Sequence, residues 1–214
     1  MTQGIDTSYA NGSPDWNLAL DDERVKFVYA RACYGQNPAD DDGPAFVNAH
    51  DACKARGTTF LSYMFWLMGQ DGKAQGAHFL DAADGRYGES AVVDVEEGSG
   101  VMGWGASVDE RVTNLSNTLT VIEAKIGEGI IYTNDDTWST YFGNTDAFAG
   151  HRFIIAQYNG TPGVFDPIRG IKEVVIHQFS DGTGMRPIAG ISTPGNNVDR
   201  DALVAPDFSA IGRR

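Results

Sequence analysis

Val92-Val93-Asp94-Val95-Glu96-Glu97 sets two carboxylates two residues apart, directly after an apolar run with strand character. Alternate side chains of an extended strand point to one face, so Asp94 and Glu96 project together, roughly 6.5 Å apart at Cα. Paired carboxylates near that spacing suit glycosidic bond cleavage, which needs a proton donor and a group to stabilise developing positive charge. A same-face acidic pair at the end of a buried strand is costly to keep without a use. Glu97 falls on the opposite face and reads as solvated or salt-bridged. Two other acidic landmarks flank this one: Asp6 in Gly4-Ile5-Asp6-Thr7-Ser8, and Asp199 in Asn197-Val198-Asp199. Acidic sites at the start, middle and end of one chain imply a closed barrel that gathers its ends around one cleft.

Outward from that stretch, short β-rich runs recur at Gly4 to Asp6, Phe27 to Arg31, Thr59 to Phe65, Ala91 to Val95, Ile130 to Thr133, Phe153 to Gln157, Val174 to Phe179 and near Val198. The first five are separated by segments long enough for helices, which predicts a parallel sheet with crossover helices. The last three lie closer together, among Gly and Pro, so the final third of the barrel should lack helices. Helices are expected over Pro44 to Arg56, ended by Gly57, and over Val108 to Ile126. The second opens with the Ser107/Glu110 capping box. It carries Val108, Val112, Leu115, Leu119, Ile122 and Ile126 on one face, and Gly127 stops it. Asn134 is placed to cap a short helix reaching Phe142.

The 214 residues fit one domain, here expected to span 1–214 as a single catalytic barrel with no separate wall-binding module. The net charge of -13 argues against nucleic acid and gives no help at an anionic membrane or wall. A neutral sugar chain is the polymer partner least contradicted. No apolar run of about 18 residues exists, so no transmembrane helix is expected. Met1 to Ser8 carries no basic start or apolar core of a secretory leader. Cys33 and Cys53 make no C-x-x-C pair, and they read as buried small groups or one disulfide. His50, His78, His151 and His177 show no metal-binding spacing, so no metal and no cofactor is expected.

In an α/β barrel the active site lies at the carboxyl ends of the strands. That rule selects Asp6, Arg31, Tyr34, Tyr63, Phe65, Trp66, Asp94, Glu96, Tyr132, Asn134, Gln157, Tyr158, Gln178 and Asp199. Aromatic rings stack on sugar faces, amides bond hydroxyl and acetamido groups, and carboxylates move protons. Competing readings exist for several. A strand-end Asp such as Asp6 often caps a turn, Arg31 suits pairing with a barrel carboxylate, and Tyr34 and Trp66 suit packing. Tyr158 sits in a turn-like context, Asp40-Asp41-Asp42 reads as a solvated loop, and Asp201 competes with Asp199.

These motifs, in this order, resemble glycoside hydrolase family 25, the Chalaropsis-type lysozymes (N-acetylmuramidases) found among phage endolysins and bacterial autolysins. Gly4-Ile5-Asp6-Thr7-Ser8 resembles the family's opening G-x-D-x-S, Asp15-Trp16 its D-W, and Asp94-Val95-Glu96 its D-x-E. Phe27-Val28-Tyr29-Ala30-Arg31-Ala32, Ile131-Tyr132-Thr133-Asn134, Ala156-Gln157-Tyr158 and His177-Gln178-Phe179 resemble other family strands, and Val198-Asp199 its closing V-D. The family often has Y-H-F where Tyr63-Met64-Phe65 stands, and with Tyr63 inward Met64 should face the helices. The glycine-rich Glu97 to Gly105 segment departs further.

The resemblance implies an α/β, irregular TIM-like (β/α)5β3 barrel. It implies a retaining glycoside hydrolase that cuts the β-1,4 bond between N-acetylmuramic acid and N-acetylglucosamine. Glu96 would be the general acid/base and Asp94 the stabiliser, with Asp6 and Asp199 completing the acidic floor. Tyr63, Trp66, Tyr132, Gln157, Gln178, Tyr34 and Arg31 are the expected substrate contacts. The expected setting is a monomer acting on the bacterial peptidoglycan glycan chain, extracellularly or at the host wall after release, as for a phage-encoded protein made in the host cytoplasm. The alternative is a catalytically silent barrel that binds glycan or builds a phage particle. A family-18 chitinase also uses a strand-end D-x-E, but its longer acidic pattern fails here at Val92.

Overall fold

Residues 1–97, 106–191 and 198–208 are described in the computed structural model of the chain. Eight strands close into a barrel in sequence order: β1 (Gln3–Thr7), β2 (Phe27–Tyr34), β3 (Thr59–Phe65), β4 (Ala91–Asp94), β5 (Ile130–Asn134), β6 (Arg152–Ala156), β7 (Glu173–Ser180) and β8 (Arg200–Leu203). Neighbours from β1 to β7 pair in parallel. β8 runs antiparallel to both β7 and β1, which closes the ring. Helices α1 (Trp16–Asp21), α2 (Gly43–Arg56), α3 (Gly72–Ala83), α4 (Val108–Ile126) and α5 (Asp135–Phe142) follow the first five strands in turn. No helix follows β6 or β7 among the described residues. This is the (β/α)5β3 arrangement expected from the sequence.

Local chemistry explains the helix ends. Ser107 and Glu110 form the reciprocal capping box of α4, and Gly127 ends it at φ 84°. Asn134 accepts the Thr137 N–H to start α5. Asp15, of the Asp15-Trp16 motif, accepts from the backbone N–H groups of Asn17 and Leu18, so its role is to cap α1. None of the described helices is long and apolar enough to cross a membrane.

The strand alternation divides the apolar residues into two cores. Phe27, Tyr29, Leu61, Tyr63, Val92, Ile130, Tyr132 and Ile154 fill the barrel. Val28, Ala30, Phe60, Met64, Val93, Val95, Ile131 and Ile155 face the helices. Met64 thus lies in the helix layer, as expected beside an inward Tyr63. The inner core is tight at the β1–β2 junction. A Cβ on Gly4 would lie 2.6 Å from the Phe27 ring, so only glycine fits there.

Between Arg31 and Cys33 the β2–β3 register slips by one residue. The slip is a β-bulge. Arg31 keeps the inward parity of Phe27 and Tyr29, and past the slip Cys33 faces the helices and Tyr34 the inner side. Cys33 and Cys53 are both buried and free, which rules out the disulfide alternative. The last strand begins later than expected: Val198 and Asp199 precede β8, and Asp201 is the acidic residue within it. Asn197, most of the glycine-rich segment after Glu96, and the terminal Arg213-Arg214 lie outside the described residues.

Candidate active site

The parity that puts Val93 and Val95 in the helix layer puts Val92, Asp94 and Glu96 on the inner face. These three line a cleft of about 250 Å³ at the carboxyl ends of the strands. β4 ends at Asp94, yet Val95 still donates its N–H to Tyr132 O at 2.8 Å, so the extended path carries through to Glu96. Asp6, Arg31, Tyr63, Tyr132, Gln178 and Asp199 line the same cleft, as the sequence predicted. Ser8, Asn11, Tyr29 and Phe65 join them.

Five acids crowd this region and the floor beneath it. Burial is the first cause of every shift. Burial, then the Asp199 carboxylate, pushes Glu96 up to about 7, against the opposing Arg31 guanidinium. Burial and Asp181 lift Asp199 to about 6, although a hydrogen bond with Asp6 pulls it down. Asp94 is held well above the usual carboxylate range by burial, Glu96 and Asp199. Asp6 is raised by burial and by Asp199, Asp201 and Asp94. Five acids beside two guanidiniums, Arg31 and Arg200, cannot all ionise, and the cluster retains protons near neutrality. A carboxyl that keeps its proton at working pH is what general acid catalysis requires. Asp94 Oδ1 is buried with no hydrogen-bond partner among the described residues. Such a vacancy is expensive, and it is relieved if substrate supplies the donor.

Gln178 lines the cleft and is also the hub of a side-chain hydrogen-bond network. Its Oε1 accepts from Tyr132 Oη at 2.7 Å and Tyr158 Oη at 2.8 Å. Its Nε2 donates to Asp6 Oδ2 at 2.6 Å and to Tyr29 Oη at 3.3 Å. Tyr29 passes its own hydroxyl hydrogen to Asp201 Oδ1 at 2.7 Å. One amide therefore joins the rim tyrosines to the acidic floor. Tyr29 is a cleft-lining residue absent from the strand-end set, although its inward parity with Arg31 marks it. Tyr158, in the irregular segment after β6, reaches Gln178 from the rim. Asp201 is wholly buried below the cleft and does not line it. Asp201→Asn is therefore expected to leave lysis within a few-fold of the parent, as measured on wall suspensions.

Two expected substrate contacts, Trp66 and Gln157, are not on the cleft wall. Trp66 lies one position past the inward Phe65, so alternation sends it outward. It is fully buried against Phe142, and its Nε1 donates to Thr118 Oγ1 at 2.9 Å. Trp66→Ala should cost about 3–5 kcal/mol of stability, read by thermal or denaturant unfolding. Residual folded enzyme should bind glycan normally; weakened binding at unchanged stability would return Trp66 to the cleft. Gln157 does not line the cleft. Its side chain exchanges two hydrogen bonds with the Asp166 backbone, at 2.8 and 2.9 Å, and braces the β6–β7 connection. Tyr34 sits in an adjoining depression with Tyr9 and Arg31, stacked on Phe65 at 4.6 Å.

The Asp40-Asp41-Asp42 run is not a solvated loop throughout. Asp42 is buried, accepts from Arg31 Nε at 2.9 Å and also takes the Tyr9 N–H. The Arg31 guanidinium lies between the Tyr9 and Tyr34 rings, 5.0 and 5.5 Å from their centroids. Arg31 thus both pairs with a carboxylate and lines the cleft. Glu97 is exposed and outside it.

The model of glycosyl hydrolases family 25 matches residues 5–187. The chain belongs to glycosyl hydrolases family 25. It is accordingly a glycoside hydrolase of the lysozyme or muramidase kind, a peptidoglycan-degrading enzyme. Solved structures share the fold. A bacterial lysozyme from Streptomyces coelicolor is 23% identical with a TM-score of 0.80, over 94% of this chain and 91% of that one. A muramidase from Trichobolus zukalii is 21% identical with a TM-score of 0.78, over 99% and 97%. A family 25 glycosyl hydrolase from Bacillus anthracis is 16% identical with a TM-score of 0.79, over 98% and 92%. Among the curated proteins none matches the chain.

Proposed function

We propose that this family 25 enzyme cleaves the β-1,4 bond between N-acetylmuramic acid and N-acetylglucosamine, with Glu96 as proton donor. The observation that carries this reading is the cleft pairing of Glu96, held protonated to about 7, with Asp94, whose Oδ1 is buried and has no hydrogen-bond partner among the described residues. Glu96 gives its proton to the leaving glycosidic oxygen. Asp94 accepts from the substrate's acetamido N–H, filling its vacant site, and steadies positive charge as the acetamido oxygen attacks the anomeric carbon. Glu96 then takes a proton from the water that opens the oxazolinium, so the anomeric configuration is retained. Asp199, hydrogen-bonded to Asp6, supplies the charge that with burial keeps Glu96 protonated. Tyr63 and Phe65 supply ring surface to the sugar.

In this reading the enzyme works as a monomer on the glycan of the bacterial wall, reached after release from the cell that makes it. The net charge of -13 suits a neutral polysaccharide better than an anionic polymer. All four acids carried over from the family motifs are present, which favours an active enzyme over a silent glycan-binding barrel.

Turbidity loss of a purified wall suspension tests the reading. Activity should fall on the alkaline side with an apparent pKa near 7, because Glu96 loses its proton there. Lysis undiminished at clearly alkaline pH would remove Glu96 as the acid. The first-formed anomer, followed by nuclear magnetic resonance on a short oligosaccharide, should be β. An α-anomer appearing first would mean inversion and make Asp94 the base that activates water.

A further inference from the structure

Behind the cleft, on the helix side of β2, three side chains of different chemistry converge. Cys33 from β2, Asp41 from the β2–α2 connection and His78 from α3 place one ligand atom each within 4.8 Å of one another. None of the three lines the catalytic cleft. The bulge after Arg31 turns Cys33 outward, beneath α3, which packs on β2. The Cys33 thiol is wholly buried, whereas the Asp41 and His78 side chains are 20% and 14% exposed. The cluster therefore has a sulfur at its base and a route to solvent at its mouth. His78 Nε2 and Asp41 Oδ1 already stand 2.8 Å apart.

We propose that Cys33, Asp41 and His78 form a binding site for a divalent transition-metal ion of the zinc class. Sulfur, nitrogen and carboxylate oxygen together are a zinc-type donor set, whereas magnesium and calcium take oxygen almost alone. Zinc bonds are about 2.3 Å to sulfur and about 2.0–2.2 Å to nitrogen and oxygen. A tetrahedron of that size separates its donors by roughly 3.3–3.6 Å. Binding requires the thiol to close in and the 2.8 Å His78–Asp41 contact to open to that spacing. Solvent water takes the fourth position through the exposed mouth. On binding, the thiol proton passes to solvent, and the thiolate and carboxylate together balance the ion's charge.

The consequence is mechanical. The ion ties the β2–α2 connection to α3, and the next residue in that connection, Asp42, holds the Arg31 guanidinium at the cleft. The site would thus staple the outer support of one cleft wall without touching substrate.

Cobalt(II) is the probe. Chelator-treated enzyme titrated with cobalt should develop a thiolate-to-cobalt absorption band in the near ultraviolet, saturating at one ion per chain and displaced by zinc. Cys33→Ser should lose the band, and Cys53→Ala should keep it. His78→Ala and Asp41→Asn, both at partly exposed positions, should weaken cobalt binding at least about tenfold and carry the test if Cys33→Ser does not fold. Zinc should raise the melting temperature of the parent enzyme and not that of His78→Ala. Absence of the band, or the same band and affinity in His78→Ala, would overturn the site and leave a plain His–Asp pair over a buried thiol.

Discussion

Glu96→Gln is expected to reduce wall lysis by ~10²–10⁴-fold, the span of general acid catalysis, while the barrel stays folded. Gln keeps the shape of Glu and loses the transferable proton. The same change should make the protein more stable near and above pH 7. Burial and Asp199 raise Glu96 from 4.5 to about 7 in the folded state, so the native enzyme holds a proton that the unfolded chain has released. That contribution is complete below about pH 4.5 and is lost as pH rises to about 7. The difference amounts to about 3 kcal/mol at 1.36 kcal/mol per unit. The neutral amide avoids that loss. A melting temperature that rises while lysis disappears would separate a catalytic from a structural role. A Gln variant that keeps most of its activity would exclude Glu96 from the reaction.

Asp94→Asn should cost nearly as much activity as Glu96→Gln, and the double variant little more than either. The two groups act as a unit, and such groups are strongly non-additive. The physical link is explicit here. Glu96 is, after burial, the largest influence raising Asp94, and Asp199 acts on both. Asp199→Asn should therefore lower the Glu96 pKa and shift the alkaline limb of the pH profile downward. Rate constants for the single and double variants, taken across pH, provide the check. Strictly multiplicative losses would show that Asp94 and Glu96 work independently.

Much of this was readable from residue order because strand periodicity is a local property. Thr59 to Phe65 and Val108 to Ile126 were bounded correctly from alternation and from the Ser107/Glu110 and Gly127 signals. The Asp94/Glu96 placement followed from the same period of two. That rule, applied from Tyr63, also sends Trp66 outward, so its place beside a strand end does not bring its ring to the cleft. The bulge at Arg31/Cys33 was not legible, since it arises from register with β3 rather than from any residue type. Partnerships between distant elements were equally hidden. Gln178 bonds Asp6, Tyr29, Tyr132 and Tyr158, four partners that no local pattern around it announces. Asp42 looked like one of three solvated acids until the fold laid Arg31 across it. The Cys33–Asp41–His78 cluster draws on three elements, so no spacing motif could announce it.

Mass spectrometry of the sugar fragments released from purified peptidoglycan tests the central claim most directly. Fragments ending in reducing N-acetylmuramic acid, released by the parent enzyme and not by Glu96→Gln, are the predicted result. Fragments ending in reducing N-acetylglucosamine, or fragments released equally by both proteins, would contradict it.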